Sequence, residues 1–232
     1  MGMDERSSDD APASNERKNP NTRSSRSVLI CKHMVLVSCT LIFLAAGWVP
    51  REDILFAIFT SIYIEFMNRK IFPAVSSSLF PGMFRGRIFK VYLQSAFVLG
   101  MILPLVYVIG AFVQGDLTAV KEAVPSLFLI LVQTHSEFYT YLRPKYSLMI
   151  RALVPIMYNT RRIFTIWRWT LFLFSSEAVD SAFSSEGWNR FGQVVAVIQV
   201  ILWNYNLFAF LLPIFLPGMI RQYHEVEQKV LR

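Results

Sequence analysis

Between Arg143 and Phe174 apolar and aromatic residues dominate, yet Arg151, Arg161, Arg162 and Arg168 sit inside that stretch. An arginine in hydrocarbon costs at least ~2.5–3.5 kcal/mol. Three solutions exist. The side chains snorkel to water, the segment lies along a membrane interface, or the charges turn toward protein. Which one applies decides the topology, because a polar tail and several hydrophobic blocks come before the stretch and one long hydrophobic block follows it.

Hydrocarbon is the relevant solvent because of composition. Only 17% of the 232 residues are charged and 54% are hydrophobic, whereas soluble domains are about 25% charged. The apolar residues fall in blocks rather than stripes, the pattern of an integral membrane protein. The predicted fold class is all-α: a polytopic transmembrane helical bundle of five or six spans with a disordered N-terminal tail. Residues 1–27 read as that polar tail, 28–220 as the transmembrane helical domain, and 221–232 as a polar C-terminal tail.

The tail carries almost no apolar surface to offset ordering entropy. Its five acids argue against a transit peptide, and its first apolar run starts too late for a signal peptide. Val28 to Trp48 is the first predicted span. It holds Cys31 and Cys39, about 12 Å apart along one helix and too far for a disulfide. Cys31, beside the membrane, is a candidate lipidation site. Asp53 is placed to cap the second span, Ile54 to Met67, near whose end Glu65 and Arg69 stand at helical pairing distance. Residues 72–87 read as a loop by their breakers. Ile88 to Gln114 is a third span that Pro104 should kink. Leu117 to Thr134 is a fourth, closed by His135 and Glu137. Arg190 to Leu216 is the last, ended by Pro213 and Pro217-Gly218.

Charge sets the expected orientation. Lys and Arg number six before residue 34, one in the turn at 51, five from Arg69 to Lys90, one after the third span and six from Arg143 to Arg168. The basic segments should face the cytoplasm, so the N-terminus is expected there. Six spans return the C-terminus to that side, with Arg161 and Arg162 near the cytoplasmic face. Five spans lay 146–174 along the interface. Net charge of +7 then serves topology and anionic headgroups rather than nucleic acid. Arg151 and Arg162, eleven residues apart, share a helix face, and Arg161 and Arg168 share another. With Trp167 and Trp169 they are candidate anionic-lipid contacts.

Chemical motifs are sparse. The three histidines lack ligand spacing, and there is no phosphate loop, nucleophile elbow or paired-cysteine motif. No cofactor, metal or catalytic residue is predicted, and a non-enzymatic role is expected. His135-Ser136-Glu137 is the cluster a lipid-modifying enzyme would use. Asn204 and Asn206 are candidate helix–helix or pore polar groups, the second role suiting a small transporter or channel subunit. The bilayer itself, anionic headgroups, a homo-oligomer or a membrane partner are the expected contacts.

Tyr158-Asn159-Thr160-Arg161-Arg162-Ile163-Phe164-Thr165 follows Pro155. Further on come Trp188, Arg190-Phe191-Gly192 and Trp203-Asn204-Tyr205-Asn206-Leu207-Phe208. These segments resemble a plant family of multi-pass membrane proteins that carries a domain of unknown function, over residues 28–223. The resemblance implies a plant source and a polytopic fold, and no activity or site residue.

Overall fold

The computed structural model describes residues 34–72, 87–175 and 186–230. The predicted tail, Cys31 and the predicted loop from 73 to 86 lie outside the described residues. Met1–Val35 and Leu36–Arg232 separate as two units, and of the first only Met34 and Val35 are described. Among the described residues the chain is helical throughout.

Six helical rods follow one another among the described residues. The first, α1, runs Met34–Ala45, and α2 runs Arg51–Lys70. The third, α3, is Arg87–Phe97, a π segment Val98–Ile102, and Leu103–Val113. The fourth, α4, is Leu117–Leu142, and the fifth, α5, is Leu148–Leu173. The last, α6, joins Glu186–Asn204, a π segment Tyr205–Phe215, and Leu216–Val230. Among the described residues three stretches are long and apolar enough to cross a membrane: Lys90–Val113, Leu117–Leu142 and Glu186–Gln228.

Local chemistry explains the ends. Gly115 takes φ 80°, which permits the tight turn into α4. Asp116 then caps α4 by accepting from Ala119 N at 2.9 Å. Ser147 does the same for α5, accepting from Ile150 N. In α2 the expected cap differs: Pro50 holds the N-cap position, and Asp53 lies inside the helix, fully buried. Glu52 and Asp53 in the first turn and Arg69 and Lys70 in the last still suit the helix dipole.

Helix α2 is polar inside and apolar outside. Its buried positions are Asp53, Thr60, Ile64 and Asn68, while Leu55, Ile58, Phe59, Ile62 and Phe66 are exposed. The exposed faces of α3 and α6 are likewise lined with Val, Ile, Leu and Phe. A water-facing bundle reverses this arrangement. Helix α4 is the central candidate span, with 61% of its apolar window buried against 28% for α3 and 33% for α6.

Two predicted boundaries move. Helix α4 does not stop at Thr134, and α6 runs unbroken past Pro213 and Pro217 to Val230. Helical hydrogen bonding tolerates Pro213, as it does Pro104 in α3, because the turns widen locally. Pro213 lies inside the π segment of α6, and Pro104 follows directly on that of α3. Side-chain amides reach carbonyls at these irregular places. Gln199 Nε2 donates to Leu99 O inside the first π segment. Asn159 Nδ2 donates to Trp203 O, just before the second, at 3.1 Å.

The arginine-bearing stretch takes the third of its three solutions. Helix α5 packs against α2, α4 and α6, and it is not a free interfacial segment. Arg161 Nε donates to buried Asp53 at 2.7 Å, Arg168 meets Glu122 at 3.5 Å, and Arg162 is only 1% exposed. Helices α2 and α5 run antiparallel, since Asn68 binds the 143–147 turn while Asp53 binds Arg161. Arg161 is therefore about 20 Å from the start of α5. It sits near the middle of α5, level with the first turn of α2, and not beside Lys145.

Candidate functional site

Helices α3, α4, α5 and α6, with Leu36 of α1, line a partly open cavity of about 730 Å³. That is within the ~300–1,000 Å³ of small-molecule sites. Helical spacing builds each wall. On α4, Gln133, Glu137 and Tyr141 stand four residues apart and face inward. On α5, Arg151, Pro155 and Arg162 also face inward, Arg151 and Arg162 as their eleven-residue spacing predicted. Helix α3 brings Tyr92, Phe97 and Met101, and α6 brings Trp203, Asn206 and Phe210. Most of the wall is apolar.

The polar groups form two clusters. In the first, Arg162 Nη2 donates to Gln133 Oε1. Gln133 Nε2 donates in turn to Glu137 Oε1 at 2.7 Å. Gln133 thus stands between guanidinium and carboxylate. The Arg162 guanidinium lies 4.1 Å from the Trp203 ring centre, a cation–π contact. Trp203 is fixed from behind, its Nε1 donating to Gln199 Oε1 at 2.7 Å. Gly100 permits that placement, because a Cβ there would meet Trp203 Cζ2 at 2.7 Å. Arg162 Nε and Nη1 remain buried with no hydrogen-bond partner. In the second cluster Tyr92 OH donates to Asn206 Oδ1 at 2.6 Å, tying α3 to α6. Arg151 lies farther along the same face of α5, its Nε also buried and unpartnered.

A family model described as "Domain of unknown function (DUF7733)" matches residues 29–224. The chain belongs to the DUF7733 family. No curated protein and no solved structure matches it. Every residue of the cavity wall falls within the DUF7733 match.

The predicted site residues of this DUF7733 domain divide. Arg151 and Arg162 meet in one cavity, whereas Arg161 and Arg168 are engaged by carboxylates elsewhere. Burial takes Arg162 away from any headgroup-facing surface. Asn206 makes the expected bond between helices, but Asn204 donates to Val200 O of its own helix at 2.8 Å. His135, Ser136 and Glu137 do not converge. His135 Nε2 lies 3.5 Å from Thr40 Oγ1, Ser136 bonds Val132 O and Tyr158 OH, and Glu137 turns to Gln133. Gln133 itself escaped notice. Its signal is the four-residue step to Glu137 and Tyr141.

A second polar knot joins α2 to the 143–147 turn. The expected Glu65–Arg69 pair forms at 2.7 Å, and Glu65 also receives Lys145 at 3.2 Å and Tyr146 OH at 2.6 Å. Asn68 Nδ2 binds Lys145 O, and Asn68 Oδ1 accepts from Ser147 N. Burial, and then the bond to the Glu65 carboxylate, push the Tyr146 phenol well above its ordinary value. This knot fixes the entrance of α5.

Proposed function

We propose that this DUF7733 chain is a multi-pass membrane protein that holds an amphiphilic, lipid-like molecule inside its helical bundle and does no covalent chemistry on it. One observation carries the reading. A mostly apolar cavity, with polar side chains gathered on part of its wall, lies among helices whose outer faces are apolar. That is the form of a site for a molecule with an apolar body and a polar end.

In this reading all six helices cross the bilayer. Both termini then lie on the cytoplasmic side, together with the basic 143–147 turn. Helix α5 supports six crossings over five, because its arginines are engaged or enclosed by protein rather than laid along an interface. The plant source implied by the sequence resemblance belongs to the same reading. A small transporter is the second reading. The π segments of α3 and α6 both border the cavity and offer places where those helices bend.

Mass spectrometry of the detergent-purified chain tests the site. One amphiphile retained per chain, and displaced by added oleyl alcohol, is the expected result. A chain that retains none and takes up none overturns the reading. A C-terminal tag reached only from the cytosol is expected for six crossings. Substrate movement in proteoliposomes would promote the transporter.

A further inference from the structure

The buried guanidinium names the polar end of that molecule. We propose that the cavity takes an anionic amphiphile, one carboxylate or phosphate on an apolar body, with a charged oxygen on Arg162 Nε or Nη1. The inference rests on the cavity being an amphiphile site and adds the sign and place of the charge.

Five observations carry it. Arg162 lines the cavity, is 1% exposed, and leaves two donor atoms without partners. A buried cation so placed is costly until an acceptor reaches it. The nearest carboxylate in its chain of bonds, Glu137, is reached only through Gln133. Among the described residues the charged side chains of the wall are Arg151, Arg162 and Glu137, an excess of one positive charge. The guanidinium also lies 4.1 Å from the Trp203 ring centre, which restrains it while its idle donors stay able to make charge-assisted hydrogen bonds to a carboxylate or a phosphate. The apolar remainder of the wall, with Phe97, Met101, Phe210 and Phe215, disfavours an anion without an apolar body.

Equilibrium binding to the full chain in phosphatidylcholine nanodiscs tests this, with oleate, oleyl alcohol and dodecyl phosphate as probes and inorganic phosphate as competitor. The expected result is one oleate per chain, bound at least about tenfold more tightly than oleyl alcohol. Dodecyl phosphate should compete, and millimolar inorganic phosphate should not. Arg162→Gln should bring oleate down to the level of the alcohol, while Arg162→Lys keeps part of the preference and Arg168→Gln keeps all of it. Should Arg162→Gln fail to fold, the oleate-to-alcohol ratio of the unaltered chain decides. Loss of both ligands in Ala96→Phe, which fills the cavity, then locates the site. Equal binding of oleate and alcohol overturns the anionic inference and leaves the cavity reading standing. Effective competition by inorganic phosphate overturns the amphiphile. Binding of neither oleate nor alcohol overturns the cavity reading, and this inference with it.

Discussion

Arg161 and Arg162 are adjacent on α5 and live in opposite surroundings. Arg161, its side chain 28% exposed, holds a carboxylate directly, and that carboxylate is wholly buried. Arg162 is the more deeply enclosed of the two, yet it has a neutral amide, an indole face and two idle donors. Successive helix positions are about 100° apart, so one step turns the side chain from the α2 contact to the cavity. The pair shows that a charge inside an apolar helix can be spent on joining helices or kept available. The partner distinguishes the two uses, whereas the sequence position does not.

The first way to break this contrast is to remove Asp53. Asp53→Ala leaves Arg161 beside a buried, unfilled place, and losing one partner of a buried pair costs about 3 kcal/mol or more. Thermal unfolding in detergent should show a larger loss for it than for Gln133→Leu, Tyr92→Phe or Glu122→Gln. If Asp53→Ala unfolds no earlier than the unaltered chain, Arg161 is not the structural member of the two.

Gln133→Leu removes the hydrogen-bond acceptor of the Arg162 guanidinium and should cost about 1–3 kcal/mol, less than Asp53→Ala. It should also free the guanidinium, so an anionic amphiphile recovers part of the lost stability while oleyl alcohol does not. A loss larger than that of Asp53→Ala would reverse the assignment of roles. Tyr92→Phe is milder. It removes the bond to Asn206 at 2.6 Å, for about 0.6 kcal/mol by the usual worth of such bonds between membrane helices. Denaturation curves should resolve it from zero and keep it well below Gln133→Leu.

Sequence reading went furthest where one physical rule acts alone. Apolar blocks foretold helices, and the eleven-residue spacing foretold that Arg151 and Arg162 share a face. The i, i+4 rule found Glu65–Arg69. Reading failed where tertiary contact changes what a polar residue means. His135-Ser136-Glu137 looked like the end of α4 because polar groups in an apolar run resemble a cap. The helix continues to Leu142 because these groups find partners on other helices and in the cavity wall. Pro213 and Pro217 looked like a stop, but a widened turn absorbs the first and the helix carries on beyond the second. Counting bases within 143–168 groups Arg161 with Lys145, but it ignores a rise of about 1.5 Å per residue, which sets the two well apart along the axis of α5. Asn204 and Asn206 looked alike until a neighbour, Tyr92, took only one of them.

The smallest effect is the most informative about where the membrane lies. Arg168 and Glu122 stand 3.5 Å apart with side chains 46% and 30% exposed. At a water-facing rim such a pair is worth ~0–1 kcal/mol, because solvent screens the charges and each side chain loses freedom when held. Glu122→Gln should therefore lower stability by no more than that in low-salt detergent solution, and less as salt is raised. In hydrocarbon the exposed part of the pair would meet no screening, and losing its carboxylate would strand Arg168 as Asp53→Ala strands Arg161. Unfolding of Glu122→Gln reconstituted in a bilayer separates these cases. A small, salt-sensitive change puts the first turns of α4 at the headgroups. A loss as large as that of Asp53→Ala puts them below, and the apolar belt then extends one turn farther toward Asp116 than the six-crossing arrangement allows.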